Sequence, residues 1–185
     1  PATWLHHQQR DAYWQHGSVC EDFGAITAAT LAVGGWGDSY KNAVPQLVEN
    51  LSSPVKGIVG PWVHKYPHFA VPEPRIGFLQ EALRWWDKWL KGIETGVEND
   101  PAYSVYLMDG VRPKTWYESR AGRWINEHDW PQGPTPKSMY LGQGNTLNTD
   151  PAQINDILSS PQTCGMSSGE YCAIWLGPEM PGDQR

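Results

Sequence analysis

Two short apolar segments, each ended by glycine, constrain the fold of this 185-residue chain more than any other feature. Residues 30–33 and 55–59 each have the length and apolar content of a buried strand. Between them, Pro45 is well placed in the first turn of a helix that runs to about Leu51. A strand–helix–strand unit of this kind usually produces two parallel, neighbouring strands. The sequence therefore predicts an α/β core here.

Each predicted strand is followed by one side chain that can take part in catalysis. The first strand runs through Gly-Gly-Trp-Gly to Asp38, and the second runs through Gly-Pro-Trp-Val to His64. In open α/β sheets the reactive groups lie beyond the carboxyl ends of the strands, and neighbouring strands are about 4.8 Å apart. A histidine can act as the base for a serine, and a carboxylate holds that histidine in the required tautomer. We therefore expect Asp38 and His64 to meet as two members of a catalytic triad.

Each of these residues also has an ordinary structural explanation. An aspartate that follows glycines is often a turn residue or a helix cap, and a single histidine is often structural. The spacing of His64 and His68 is that of a helical metal-binding pair, but Pro67 between them disfavours a helix. The sequence therefore predicts no metal site and no cofactor, and His68 is expected in a loop.

A strongly amphipathic helix is predicted over residues 76–93. Its apolar positions recur at helical spacing, and Gly92 is a natural terminator near its end. These positions are Leu79, Leu83, Trp86, Leu90 and Ile93, widened by Phe78, Ala82, Trp85 and Trp89. We expect so apolar a helix to lie against a sheet or another domain, with its tryptophans used for packing.

The sequence pattern changes after Gly96. Short strands are predicted at residues 103–108, 123–126, 138–141 and 173–176, separated by clusters of Gly, Pro, Asn and Asp. This pattern is typical of an all-β sandwich. We therefore expect an α/β fold in which residues 1–96 form the C-terminal part of a catalytic domain and residues 97–185 begin a β-sandwich.

The paired motifs resemble a known family. G-G-W-x-D, which ends at Asp38, and G-P-W-x-H, which ends at His64, are similar to the X-Pro dipeptidyl-peptidase and cocaine-esterase group of α/β-hydrolases. The tryptophan-rich helix that closes on D-x-x-L-K-G at Gly92 strengthens this resemblance, as does the G-R-W…D-W-P pattern of residues 122–131. The resemblance covers most of residues 11–142.

The resemblance implies an α/β-hydrolase domain followed by a jelly-roll domain, cleaving esters or amides through an acyl-enzyme. Asp38 would be the triad acid and His64 the general base. Tyr40, two residues after the acid, would border the acyl pocket, and Trp36 would be a second substrate-binding residue. The expected partner is therefore a small ester, an amide or a short peptide.

The nucleophile is the part that the chain is not expected to supply. The family's serine and its oxyanion-hole tyrosine belong upstream of Pro1. Ser18, Ser39 and Ser168 lie near glycines, but none is on a predicted strand–turn–helix elbow, and each is expected to be a turn or capping residue. Because the chain also begins without Met, we expect a piece of a longer hydrolase that is inactive alone.

Composition excludes some functions and leaves others open. The net charge of −6 and the lack of a Lys/Arg stripe argue against nucleic acid, and no apolar run has the length of a membrane span. The three cysteines are expected to be ordinary thiols, with a Cys164–Cys172 bridge as the minor alternative. Their usage favours the cytoplasm without fixing the compartment, and homo-oligomerisation stays open.

A different class of function also fits the aromatic residues after residue 100. Trp116, Tyr117, Trp124 and Trp130 could dock a sandwich onto the catalytic domain, or they could form a face that binds sugar or peptide. The alternative to a hydrolase is therefore a non-catalytic binding module. A third alternative is a scaffold that kept the hydrolase fold and lost its serine.

Overall fold

The computed structural model describes residues 2–112, 114, 116–130, 137–144 and 146–155. Its helices are α1 (Ala2–His6), α2 (Ala12–Gln15), α3 (Ala43–Asn50) and α4 (Phe78–Lys91), with 3₁₀ turns at Val19–Glu21, Phe23–Ala25 and Val97–Asn99. Its strands are β1 (Thr30–Gly37), β2 (Val55–Val63), β3 (Tyr103–Met108), β4 (Gly122–Glu127), β5 (Tyr140–Gly142) and β6 (Thr146–Asn148). In this part of the chain, no helix has the length and apolar character that a membrane crossing needs.

Four strands form one mixed sheet in the order β1-β2-β3-β4. β1 and β2 are parallel and are joined through α3, β3 is parallel to β2, and β4 is antiparallel to β3. The predicted strand–helix–strand unit is therefore present. A mixed sheet with helices confirms the α/β class.

The sheet continues past the boundary expected near Gly96. Residues 103–108 and 123–126 are strands, as predicted, and they extend the α/β sheet, because β3 pairs with β2 and β4 pairs with β3. The physical reason is burial: Tyr103 opposes Gly57 and packs into the core that α3 covers. Hydrogen bonds of one sheet therefore cross the expected domain boundary.

The remaining strands of the described residues form a two-stranded ribbon, β5 with β6. The strand predicted at residues 138–141 corresponds to β5, and the strand predicted at residues 173–176 lies outside the described residues. The jelly-roll expected for residues 97–185 therefore stays a prediction.

Helix α3 closes one face of the sheet. Its Val44 and Val48 are buried against Ala32 and Val59 of the sheet. Gly57 allows this close approach, because a Cβ atom there would lie 2.5 Å from a methyl carbon of Val48. We call this surface the α3 face.

Helix α4 lies on the opposite face, which we call the α4 face. Side chains alternate along a strand, so Leu31 and Val33 point away from the α3 face, and both line one cavity together with α4. The helix ends at Gly92, whose positive φ of 69° suits a left-handed cap. Only Ala82 and Trp85 of α4 are buried.

The apolar stripe predicted for α4 is present but largely exposed. We call its five exposed members, at a spacing of alternately four and three residues, the outer stripe: Leu79, Leu83, Trp86, Leu90 and Ile93. In this group Leu90 is 78% exposed. In the described residues, α4 is therefore covered only on the side that carries Ala82 and Trp85.

A charged cluster fixes α4 to the sheet. Lys56 of β2 is buried, and its Nζ donates to Glu81 Oε2 at 3.0 Å and to Asp100 Oδ2 at 2.5 Å. Arg84 donates to both oxygens of Asp100. Burial raises the pKa of the Asp100 carboxyl, but the hydrogen bonds from Arg84 and Lys56 outweigh burial and leave the pKa below its ordinary value.

Candidate active site

The ends of β1 and β2 place Asp38 and His64 side by side. Asp38 directly follows β1 and His64 directly follows β2, and the two strands are parallel neighbours. The pairing register shifts between Gly35 and Gly37, just before the aspartate. A Cβ atom on Gly35 would overlap the backbone carbonyl of Trp62. Gly35 therefore lets the ends of β1 and β2 approach each other closely enough for the side chains of Asp38 and His64 to meet.

The two side chains are hydrogen-bonded. His64 Nδ1 lies 2.7 Å from Asp38 Oδ2, and Asp38 Oδ1 accepts a 2.8 Å hydrogen bond from the backbone N–H of Tyr40. Both carboxylate oxygens are therefore held. An ionised carboxylate only accepts hydrogen bonds, so a neutral imidazole paired with it carries its proton on Nδ1 and its lone pair on Nε2.

The acid and the base differ in exposure. The Asp38 side chain is 14% exposed, whereas the His64 side chain is 65% exposed. Among the described residues, no protein group bonds to His64 Nε2. Nε2 of His64 therefore has no hydrogen-bond partner among the described residues. It belongs to an exposed imidazole whose orientation the Asp38 carboxylate fixes.

The tryptophans of the two motifs anchor the strand ends. The Trp36 indole N–H donates to the backbone carbonyl of Tyr106 at 2.7 Å, which ties β1 to β3. The indole N–H of Trp62 donates to the carbonyl of Pro74 at 2.8 Å, which fixes the segment after His64. Sequence reasoning missed this anchoring role for Trp36, and the substrate contact expected of it stays a prediction.

Tyr40 contributes its backbone rather than its ring to the pair. Its N–H donates to Asp38, while Tyr40 as a whole is 75% exposed and is not among the described residues that line the neighbouring cavity. A role for Tyr40 at an acyl pocket therefore stays a prediction as well.

A cavity of about 820 Å³ opens beside the pair, and we call it the trough. Leu31 and Val33 of β1 line it from the sheet, and Asp38 and His64 lie at its border. Its other wall is α4, through Phe78, Ala82, Trp85, Trp86, Trp89 and Leu90. Its lining is predominantly apolar, which suits an apolar occupant.

An aromatic group that the sequence analysis did not identify follows His64. Tyr66 and Phe69 are exposed and line the trough, and the Tyr66 ring stacks on Phe78 with centroids 5.9 Å apart. His68 lies between Phe69 and Phe78 as a loop residue, as expected. The aromatic residues that follow His64 directly in the sequence were the signal that could have identified this group.

The serines considered as nucleophiles have other surroundings. Ser18 Oγ donates to the carbonyl of Trp14, and Ser39 is exposed in the turn after Asp38. Ser168 lies outside the described residues.

Residues 165–169 read Gly-Met-Ser-Ser-Gly and match the letters of a G-x-S-x-G elbow, with Ser167 at the centre. They follow His64 in the chain, whereas the α/β-hydrolase order is Ser…Asp…His.

The remaining candidate sites are a metal site, the cysteines and a second Asp–His pair. No group of three His, Cys, Asp or Glu side chains that could hold a metal occurs within the described residues. Cys20 is a free, exposed thiol, and Cys164 and Cys172 lie outside the described residues. A second Asp–His pair, His7 with Asp11 at 2.6 Å, is a local contact between residues four apart in the sequence.

The aromatic residues of the alternative binding face are engaged in packing. Trp124 contacts Trp62 and Tyr106, and Trp130 lies against Tyr103. Trp116 packs against the buried cluster of Val63 and Val71. Tyr117 lies under the guanidinium of Arg120, with 4.7 Å between the guanidinium carbon and the ring centroid. These contacts tie the rings to the sheet and its loops.

Comparisons with known proteins agree with the sequence motifs. Residues 1–66 match the family model described as X-Pro dipeptidyl-peptidase (S15 family). Two curated proteins, each named "Putative serine esterase", from Mycobacterium bovis and Mycobacterium tuberculosis, are 27% identical to this chain over 145 residues. That alignment covers 75% of this chain and 20% of each relative, so the chain spans about a fifth of their length.

Solved structures give the same relationship at the level of the fold. A 1.95 Å crystal structure of a CocE/NonD family hydrolase from Staphylococcus aureus matches with a TM-score of 0.57 at 15% identity, covering 80% of this chain and 25% of that chain. A further crystal structure of that hydrolase matches with a TM-score of 0.56. The resemblance to the X-Pro dipeptidyl-peptidase and CocE-like hydrolases is therefore confirmed.

Proposed function

We propose that this chain supplies the acid and the base of a serine-hydrolase triad, Asp38 and His64. The observation that carries the proposal is the 2.7 Å contact between side chains that follow adjacent parallel strands, with Nε2 of the histidine directed outwards. The nucleophilic serine and the oxyanion-hole donors come from a part of the hydrolase that this chain does not supply. The reaction class is hydrolysis of an acyl ester or amide.

The proposed roles are the ones that this geometry supports. His64 Nε2 takes the proton of the serine hydroxyl as the oxygen attacks the acyl carbon, and then gives that proton to the departing alcohol or amine. A water molecule then takes the place of the leaving group. Nε2 accepts a proton from this water as it attacks the acyl-enzyme, and gives that proton to the serine oxygen as the acid is released. Asp38, held by the Tyr40 N–H, fixes the imidazole and stabilises its charged form. The serine-esterase names of the mycobacterial relatives support this assignment.

A chimaera tests the two roles. The stretch of the Mycobacterium bovis relative that aligns with this chain is replaced by this chain, and hydrolysis of p-nitrophenyl acetate is measured. Asp38→Asn should reduce kcat by about 10⁴-fold, as in the known effect of this change in a Ser-His-Asp triad. The matched control is Asp11→Asn, which removes the carboxylate of the second Asp–His pair and should leave kcat within about twofold. A fall of less than about tenfold for Asp38→Asn would remove this residue from the triad.

Two measurements on this chain alone complete the test. Nitrogen NMR should show the Nδ1–H tautomer of His64, and Asp38→Asn should abolish that preference. A fluorophosphonate probe should leave the chain unlabelled. An adduct that disappears in Ser167→Ala would instead place the nucleophile in residues 165–169 and contradict an external serine.

A further inference from the structure

The loop that follows His64 presents two apolar rings beside the candidate base. Tyr66 and Phe69 are 63% and 47% exposed, and both line the trough at whose border Asp38 and His64 lie. A single exposed apolar side chain is ordinary, but two aromatic rings that share a cavity with a basic nitrogen are typical of a small-molecule site. We call residues 65–71 the aromatic loop.

The aromatic loop is closed by backbone hydrogen bonds. The N–H of Val63 donates to the carbonyl of Val71 at 2.8 Å, and the N–H of Phe69 donates to the carbonyl of Tyr66 at 3.1 Å. Ala70 and Val71 are buried directly after the rings. A loop with these bonds presents its rings in a fixed place, so a ligand that binds them loses little free energy to ordering the protein.

The rings of the aromatic loop also support one another. Tyr66 stacks on Phe78 of α4, with 5.9 Å between centroids and 28° between planes, and it meets Phe69 edge-on at 6.0 Å. His68 stacks on Phe78 with planes 5° apart and contacts the ring of Phe69 edge-on at 4.6 Å. The contact with Phe78 occupies one face of Tyr66, so the exposed remainder of this ring can contact a further ring in the same offset or edge-on geometry.

We propose that the aromatic loop binds the leaving group of the substrate, with Tyr66 as its main contact, and that the hydrolase therefore prefers esters whose alcohol carries an aromatic ring. This inference rests on the proposed function, because His64 Nε2 is the atom that gives a proton to the departing oxygen. That oxygen lies within hydrogen-bond distance of Nε2, about 3 Å. Tyr66 is two residues from His64, and two residues span at most about 7 Å, so a substituent on the departing oxygen comes within reach of the ring.

A ring next to the base is better placed for the leaving group than for the acyl group. The acyl carbon is bonded to the serine in the acyl-enzyme, and the serine comes from a part of the hydrolase that this chain does not supply. The departing oxygen, in contrast, is positioned by its proton donor, His64 Nε2. The loop of the base therefore selects the alcohol that departs more directly than the acid that is released.

Two isomeric esters test the assignment in the chimaera described above. Benzyl acetate carries its ring on the leaving alcohol, whereas ethyl benzoate carries its ring on the acyl group. Tyr66→Ala should lower the ratio of kcat/KM for benzyl acetate over ethyl benzoate by about tenfold or more, mainly through a higher KM for benzyl acetate. Tyr66→Phe keeps the ring and should keep this ratio within about twofold. The matched control Tyr140→Ala, at an exposed tyrosine of β5, should leave the ratio unchanged.

The ratio distinguishes the leaving-group contact from other roles of the ring. A ring that only supports the fold or the base affects both esters equally, so an unchanged ratio in Tyr66→Ala would overturn the proposal. A rise in the ratio would also overturn it, because the ring would then contact the acyl group.

Binding of the product alcohol to this chain alone keeps the inference testable if the chimaera hydrolyses neither ester. Benzyl alcohol at millimolar concentration should give saturable NMR shifts in the ring signals of Tyr66 and Phe69, and Tyr66→Ala should abolish the shift of Phe69. Such binding, together with a folded chimaera that hydrolyses neither ester, would overturn the proposed function while supporting the aromatic site. Shifts confined to the tryptophans of α4, or no shifts at all, would overturn the aromatic site itself.

Discussion

Each face of the sheet carries one amphipathic helix, but the two helices differ in how much of their apolar surface is buried. On the α3 face, Val44 and Val48 are buried against Val59, which has no exposed surface at all. On the α4 face, only Ala82 and Trp85 are buried, and the outer stripe faces solvent. The apolar pattern of α4 thus extends over more surface than the described residues cover.

The two faces are also held by different forces. The α3 face depends on apolar packing around Gly57, where there is no space for a side chain. The α4 face combines the packing of Ala82 and Trp85 with a charged anchor, formed by Lys56 with Glu81 and Asp100. Stability of the two faces should therefore respond to different changes.

The strongest test of this comparison replaces one leucine on each side. Leu51, the buried cap residue directly after α3, is 9% exposed, and Leu51→Ala should reduce the free energy of unfolding by about 2–5 kcal/mol. Leu90→Ala removes the same atoms from a mostly exposed residue of α4 and should change it by no more than about 0.5 kcal/mol. Urea denaturation measures both. A large loss in Leu90→Ala would mean that the outer stripe is already covered in this chain.

A second pair of changes adds a methyl group at a glycine on each side instead of shortening a leucine. Gly57→Ala puts a carbon against Val48, Tyr103 and Val44, and should cost about 1–3 kcal/mol of unfolding free energy. Gly77→Ala, at the start of α4, meets the movable amide of Gln80 and has a φ of −73°, which alanine adopts readily. It should therefore leave stability almost unchanged. Equal losses in the two variants would show that the α3 face has room to adjust.

Sequence reasoning succeeded where the determinants are local. The strand–helix–strand unit, α4 and its glycine terminator, and the meeting of Asp38 with His64 all follow from patterns within short segments. The placement of β3 in the α/β sheet did not follow, because it depends on Tyr103 entering the core under α3. The anchoring role of Trp36 was missed for the same reason, since its hydrogen-bond acceptor lies 70 residues away.

The smallest predicted effect concerns the charges that hold α4. The Asp100 carboxyl has a pKa below its ordinary value of 3.8, because the hydrogen bonds from Arg84 and Lys56 outweigh the opposing effect of burial. The unfolded chain therefore binds more protons than the folded chain in the window just below pH 3.8. The contribution of Asp100 to stability is fully present above that pH and is lost as the pH falls through the folded-state pKa.

Urea midpoints measured between pH 6 and pH 2 should therefore decrease more in the unmodified chain than in Asp100→Asn, which is less stable at neutral pH but has no carboxyl to protonate. The matched control is Asp109→Asn, at a carboxyl outside this charged cluster, which should keep the full decrease. Because Asp100 faces Lys56, Arg84 and Glu81 together, the loss should coincide with a rise in the exchange rates of α4 amides, while α3 amides stay protected. If α3 and α4 instead lost protection together at the same pH, the two faces would unfold as one unit and the contrast between them would concern packing alone.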